Sequence, residues 1–153
     1  MARRSVDVER VIKAPPEAIF ELLADPAMHP VLDGSGTVRH PREGNPGRLS
    51  LGATFGMSMR FGLPYRITNT VVEFDEGRRI AWRHFGGHRW RYELTPVPCG
   101  EGQDTKVTET FDYSTARSPL ALELLRYPQR NRKGMEQTLE RLAARFEPSA
   151  GSA

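Results

Sequence analysis

The sequence predicts an α+β fold: one curved antiparallel sheet of six or seven strands, two short helices after the first strand, and a long C-terminal helix. Three observations predict it. Residues 54–111 alternate apolar and polar with a period of two, interrupted by hairpin turns. Residues 135–146 change to a helical period, with Met135, Leu139, Leu142 and Phe146 on one stripe. Between the first strand and the sheet, Pro15 and Pro16 open a short apolar helix. At 153 residues the chain fits one domain. It is read here as residues 1–147 followed by a flexible tail, 148–153.

The elements follow in order. SVDVERVIK at 5–13 places Val6, Val8 and, through an expected slip near Arg10, Val11 on an inner face. EAIFELLAD then carries Ile19, Phe20, Leu22 and Leu23 on a broad apolar face, and Asp25 and Pro26 stop it. AMHPVL is long enough for one more turn. From Asp33 to Gly52 the chain is rich in Gly and Pro, so only TVRH is expected as a short strand there. TFGMSMRF points Phe55, Met57 and Met59 one way. Pro64 is expected to restart the chain, and Tyr65, Ile67, Asn69 and Val71 share a face until a shift near Val72 brings Phe74 inward. Asp75–Gly77 is a hairpin turn, Ile80, Trp82 and His84 share the next face, and Gly86–Gly87 is expected as a two-residue loop. His88, Trp90, Tyr92 and Leu94 alternate against Arg89, Arg91 and Glu93. Residues 96–103 look like a turn-rich loop holding Cys99, and the last strand sets Val107, Glu109 and Phe111 together. Ser118 and Pro119 suit an N-cap and first helical position, and Pro128 is expected to kink or break the helix that follows.

Composition narrows the function. The positive charge is 19 Arg and 3 Lys against 19 acidic residues, a net charge of +3. Acidic residues are interspersed, so no single-sign face is implied. The basic cluster Arg126, Arg130, Arg132 and Lys133 has no interleaved aromatics for stacking bases, and nucleic acid is not an expected partner. No apolar run approaches the roughly 18 residues that span a bilayer, and MARRSVDVER has no signal-peptide apolar core, so stable membrane insertion is not expected and a cytoplasmic protein is. Lone Cys99 has no neighbouring base, and no Cys/His set has structural-zinc spacing, so neither metal nor other cofactor is expected. The chain lacks a phosphate-binding loop, a dinucleotide fingerprint and a nucleophile elbow. Nothing in it specifies an oligomeric state.

APPEAIFELLADP at 14–26, VVEFDEGRRIAWR at 71–83 and TKVTETFDY at 105–113 together resemble the START-like superfamily. This is the helix-grip fold of polyketide cyclase/dehydrase and lipid-transport proteins (SRPBCC) and of birch-pollen-allergen-like proteins. The resemblance covers residues 5–147 and implies a sheet wrapped around the C-terminal helix. It also implies lipids, polyketide-like aromatics or isoprenoids as the ligand class. Leu32 stands where many relatives carry a Trp.

A sheet curled round one helix tends to leave space between them, although flat packing satisfies the same pattern. The face opposite the arginines collects Phe55, Met57, Met59, Tyr65, Ile67, Asn69, Val71 and Trp82, then His84, His88, Trp90, Tyr92, Val107, Glu109 and Phe111; all but Ile67, Val71 and Val107 are expected ligand contacts, with Met135 facing them from the helix. Met and aromatic walls with a few polar groups describe either core or an apolar ligand pocket. Only 33 residues are Leu, Ile, Val or Phe, which favours a lined space. Glu109 on an apolar face must be paired, protonated or solvated. It and His84 or His88 are therefore candidate acid/base groups, candidate contacts to a ligand's polar end, or structural partners of each other. The leading expectation is a binder of a small hydrophobic ligand, admitted by opening of residues 34–52 and of the Pro128 kink. The alternatives are a cyclase, dehydratase or hydrolase using Glu109 and the two histidines, and a protein-interaction module.

Overall fold

The computed structural model describes residues 3–84, 86–100 and 102–147; the expected tail lies outside them. Strand β1 (Ser5–Ile12) enters with Val6 and Ile12 buried. The expected slip near Arg10 does not occur: the ladder to the last strand runs without a shift from Ser5↔Asp112 to Ile12↔Thr105. Strict alternation therefore turns Ile12 inward and leaves Val11 52% exposed. Pro16 occupies the first turn of α1 (Pro16–Leu23), which buries Ile19, Phe20 and Leu23. A 3₁₀ turn at Pro26–Met28, capped by the Asp25 side chain on Ala27 N (2.9 Å), leads into the single turn α2 (His29–Leu32).

Six further strands follow: β2 (Val38–Pro41), β3 (Thr54–Phe61), β4 (Leu63–Asp75), β5 (Arg79–Arg83), β6 (Arg89–Cys99) and β7 (Gly102–Asp112). The antiparallel order is β1-β7-β6-β5-β4-β3-β2. Pro64 does not restart the chain, because it lies inside β4 opposite Arg60. A register shift between Val71 and Glu73 keeps Val71 and Phe74 on the inner side and turns Glu73 outward. There Glu73 meets Arg91 at 2.7 Å.

Two turns differ from expectation. His84 N donates to His88 O and Gly87 N to His84 O, so the β5–β6 loop is one residue longer than a two-glycine turn. The β6–β7 hairpin runs out to Cys99↔Gly102, where a loop from 96 to 103 was expected. Pro96 and Pro98 are tolerated because they share the parity of Leu94, whose N–H points at Arg78 O on the β5 side. Beyond Arg79 no β5 residue pairs with β6, so their missing N–H groups face an open edge.

Helix α3 (Pro119–Leu124) opens behind Ser118, and the long helix α4 is Tyr127–Ala144. The break between them falls at Arg126, which takes a left-handed conformation (φ 59°), and not at Pro128, which is accommodated in the first turn of α4. Helix α4 buries Met135, Leu139 and Leu142 against the sheet, chiefly along β1 and β7. Near its C-terminal end Leu139 and Leu142 join Ile12, Ile19, Phe20, Ile80 and Val107 in a solid core. Toward its N-terminal end helix and sheet separate.

Candidate functional site

Where they separate lies a cavity of about 1000 Å³. Strand β3 contributes Phe55, Met57 and Met59 to its wall, β4 Tyr65 and Asn69, and β5 Trp82. Trp90 and Tyr92 line it from β6, Glu109 and Phe111 from β7, His84 and His88 from the β5–β6 turn, and Met135 from α4. All thirteen expected ligand contacts thus surround one space, while Val71 and Val107, of the same strand parity, lie in the core.

Residues that the parity argument passed over complete it. His29 stacks on Trp82 (4.7 Å between ring centroids) and meets Phe55 edge-on. Its Nε2 lies 2.9 Å from Leu23 O, and burial holds its pKa below the ordinary value. The length of AMHPVL allowed the α2 turn, but only its packing beside β2 and α4 could place this ring. Leu32 is buried and lines the cavity too. Asp33 follows it, with its carboxylate accepting from Ser35 Oγ, Gly36 N and Val38 N at 2.8 to 3.3 Å. The start of the Gly- and Pro-rich segment is therefore a tied turn beside the cavity.

The interior polar groups divide into two sets. Tyr92 OH donates to Glu109 Oε1 at 2.9 Å. Glu109 is 3% exposed, and its Oε2 has no hydrogen-bond partner among the described residues; neither has Oδ1 of Asn69, 4% exposed. Burial pushes the Glu109 pKa up to about 8, against the lowering effect of the Tyr92 hydrogen bond and with help from the Asp33 charge. At neutral pH this carboxyl is mostly protonated. The second set is His84 and His88, whose rings stack at 4.6 Å. Burial lowers both to about 4, so both are neutral at pH 7.

Of the three readings of Glu109 and the histidines, the register does not favour the one in which they are partners of each other. Tyr92 lies directly opposite Glu109, whereas the β6–β7 ladder ends at Arg89↔Asp112 and His88 stands beyond it. That is about 13 Å of strand from Glu109 at the usual rise per residue. The cationic side chains of the lining, Arg117, Arg130 and Lys133, are all exposed and lie on α4 and the loop before α3. Beside them, α3 turns Leu122 toward the cavity and leaves Leu120 and Leu124 in solvent.

The pattern of the family described as polyketide cyclase / dehydrase and lipid transport matches residues 3–147. The chain belongs to that family. A curated relative is the uncharacterised protein Rv0088 of Mycobacterium tuberculosis, 40% identical over 154 residues that cover 94% of this chain and 62% of the relative. The chain therefore spans about three fifths of the length of the curated relatives it matches. Among solved structures, protein Ms6760 of Mycobacterium smegmatis superposes with a TM-score of 0.69 at 16% identity, covering 92% of this chain and 89% of that one. The ginseng major latex-like protein 151 of Panax ginseng gives 0.63 at 14% identity, with 94% and 97% covered. These likenesses show the fold: this polyketide cyclase/dehydrase and lipid-transport family member is a START-like, helix-grip protein. No helix among its described residues is long and apolar enough to cross a membrane.

Proposed function

We propose that this family member binds one small, mostly apolar molecule between the sheet and α4. The observation that carries the reading is the cavity of about 1000 Å³, walled by Met and aromatic side chains and lined by the buried carboxyl of Glu109. A volume of that order suits a polycyclic aromatic, an isoprenoid or a lipid chain. Burying its apolar surface supplies affinity, at about 25 cal/mol per Å², and the Tyr92–Glu109 pair orients its polar end. The thirteen lining residues named above are the proposed contacts. Native mass spectrometry of the purified protein, with titration of a fluorescent polycyclic such as 1-aminoanthracene, tests this. One ligand per chain is expected, and Met59→Trp, which fills the space from β3, should abolish saturation while leaving a cooperative melt. Failure of the unaltered protein to bind any such ligand saturably would sink the reading.

A catalytic reading has one observation in its favour: a carboxyl held protonated near pH 7 and two neutral imidazoles line the same space. Glu109 would serve as general acid, with His84 or His88 accepting a proton from a different part of the substrate, since the two sets are far apart along β7. A cyclisation, dehydration or hydrolysis run this way would lose turnover in Glu109→Gln while retaining ligand binding.

A further inference from the structure

Helix α3 has its polarity inverted. Its one charged side chain, Glu123, turns back to the protein, where Arg4 Nε and Tyr113 OH donate to the carboxylate at 3.2 and 3.4 Å. Leu122 beside it is half-buried and lines the cavity. The other face is apolar and stands in water: Leu120 is 62% exposed, Leu124 83% and Leu125, just past the helix, 60%. Leu120 and Leu124 are four residues apart and share one side of the helix, and Ala121 and Leu125 extend that side. Exposed leucines scattered singly need no explanation, but a contiguous set on a helix that buries none of its own residues does. The helix is also held in this attitude. Thr115 Oγ1 donates to Gly87 O at 2.6 Å and Arg117 N to Gly86 O at 2.9 Å, which pins the preceding loop to the β5–β6 turn.

These leucines border the mouth of the cavity. Lining residues that are also exposed mark that opening, and they include Arg117, Ala121, Leu125, Arg130 and Lys133, with Tyr65 on the sheet side. Three of them are cations, and among the described lining no exposed side chain is acidic. Arg126, exposed between α3 and α4, adds a fourth positive charge. Such a rim fits an anionic bilayer better than another protein. A second copy would set the same four cations against each other across a two-fold contact. A folded partner would need pockets matched to leucines on a short convex helix, whereas acyl chains close around any protruding apolar group. Cations flanking an apolar face meet lipid phosphates at headgroup depth.

We infer that α3 and its flanking cations form a peripheral contact for an anionic lipid surface. Leu120, Leu124 and Leu125 enter the headgroup boundary, while Arg117, Arg126, Arg130 and Lys133 face lipid phosphates. The contact needs no spanning helix. It lays the mouth of the cavity against the bilayer, so an apolar ligand can pass between lipid and cavity without crossing water. The docking is independent of the ligand-binding reading above; only this route of transfer rests on it.

The test is cosedimentation of the full chain with vesicles of phosphatidylcholine alone, or of phosphatidylcholine with roughly one third phosphatidylglycerol. At about 0.1 M salt the chain should partition onto the anionic vesicles at least tenfold more strongly than onto the neutral ones, and raising the salt to about 0.5 M should weaken this at least fivefold. The pair Leu120→Ser with Leu124→Ser should lower the partition at least fivefold, and so should the pair Arg117→Glu with Lys133→Glu. All four positions are exposed, and circular dichroism checks that both variants fold. Leu51→Ser and Arg78→Glu, exposed positions outside the rim, should leave it unchanged. Equal partition onto neutral and anionic vesicles removes the cations as its cause and overturns the anionic contact. Binding undiminished in both variant pairs moves the contact off α3 and overturns it as well. If neither vesicle binds, sedimentation velocity decides what α3 meets: a dimer dispersed by the leucine pair assigns the face to a second copy, and a monomer overturns the contact outright. Titration with 1-aminoanthracene reads the cavity separately, so failure of the docking and failure of the ligand-binding reading are distinct results.

Discussion

Replacing Glu109 with glutamine should make the protein progressively more stable than its parent as pH rises. In the folded chain the Glu109 pKa is raised from the ordinary 4.5 to about 8, with burial as the main cause. Below pH 4.5 the carboxyl is neutral in both folded and unfolded chains, and its contribution is fully retained. As pH rises, the unfolded chain releases the proton first, so folding stability falls by about 1.4 kcal/mol per pH unit until the folded carboxyl ionises near 8. Across that interval the loss accumulates to about 5 kcal/mol as an upper bound. Glutamine has nearly the same shape, can still accept from Tyr92 OH, and does not ionise. His84 and His88 titrate in the opposite sense. Their lowered pKa values give stability above the ordinary 6.5 that is lost as pH falls through about 4. They are present in both proteins, so the difference between the two profiles isolates Glu109. Urea denaturation at half-unit steps from pH 4.5 to 8.5 measures it. The curves should agree within about 1 kcal/mol at the acid end and diverge steadily above pH 5. Parallel profiles would show that Glu109 is ionised in the folded protein at neutral pH, and the reading of it as a protonated carboxyl would lose its basis.

Two structural substitutions probe the frame around the site. Gly34→Ala should lower the melting temperature by several degrees, because a Cβ there would lie 2.4 Å from Gln137 Cβ and 2.7 Å from Thr138 N on α4 and would strain the bond from Gly34 N to Thr138 Oγ1; an unchanged thermal melt would refute that close approach. Arg48→Ala removes a guanidinium that bridges Glu21 and Glu76 on the surface, and exposed pairs of this kind contribute about 0–1 kcal/mol. Chemical denaturation should register a loss of that size, and a loss several times larger would mean that its packing over Phe20 and Phe74 matters more than its charge.

The inner and outer faces of the sheet were legible in the sequence because side-chain alternation along a strand is local. Trp82 and Tyr92 on one side, and Arg83 and Arg91 on the other, follow from the two-residue period alone. The shift near Val72 was legible for the same reason: Val71 and Phe74 are both apolar but of opposite parity. The partner of Glu109 was not legible. It depends on the β6–β7 register, which depends on where the hairpin turns, and two prolines disguised the outer part of that hairpin as a loop. Once the turn is seen to close at Cys99↔Gly102, Tyr92 must face Glu109 and the histidines must lie beyond the ladder. His29 was hidden differently, since one helical turn carries too little pattern to say which way it docks.

The sequence by itself determined the α+β class, the sheet-and-helix order, the family and the set of inward side chains, because periodicity, turn chemistry and motif are written along the chain. Only the tertiary structure decided that helix and sheet part to leave a cavity of about 1000 Å³, that the buried carboxyl is met by a tyrosine, and that its other oxygen has no hydrogen-bond partner among the described residues. Those outcomes are set by distances between segments far apart in sequence, and a thin aliphatic content says nothing about where the polar end of the space lies.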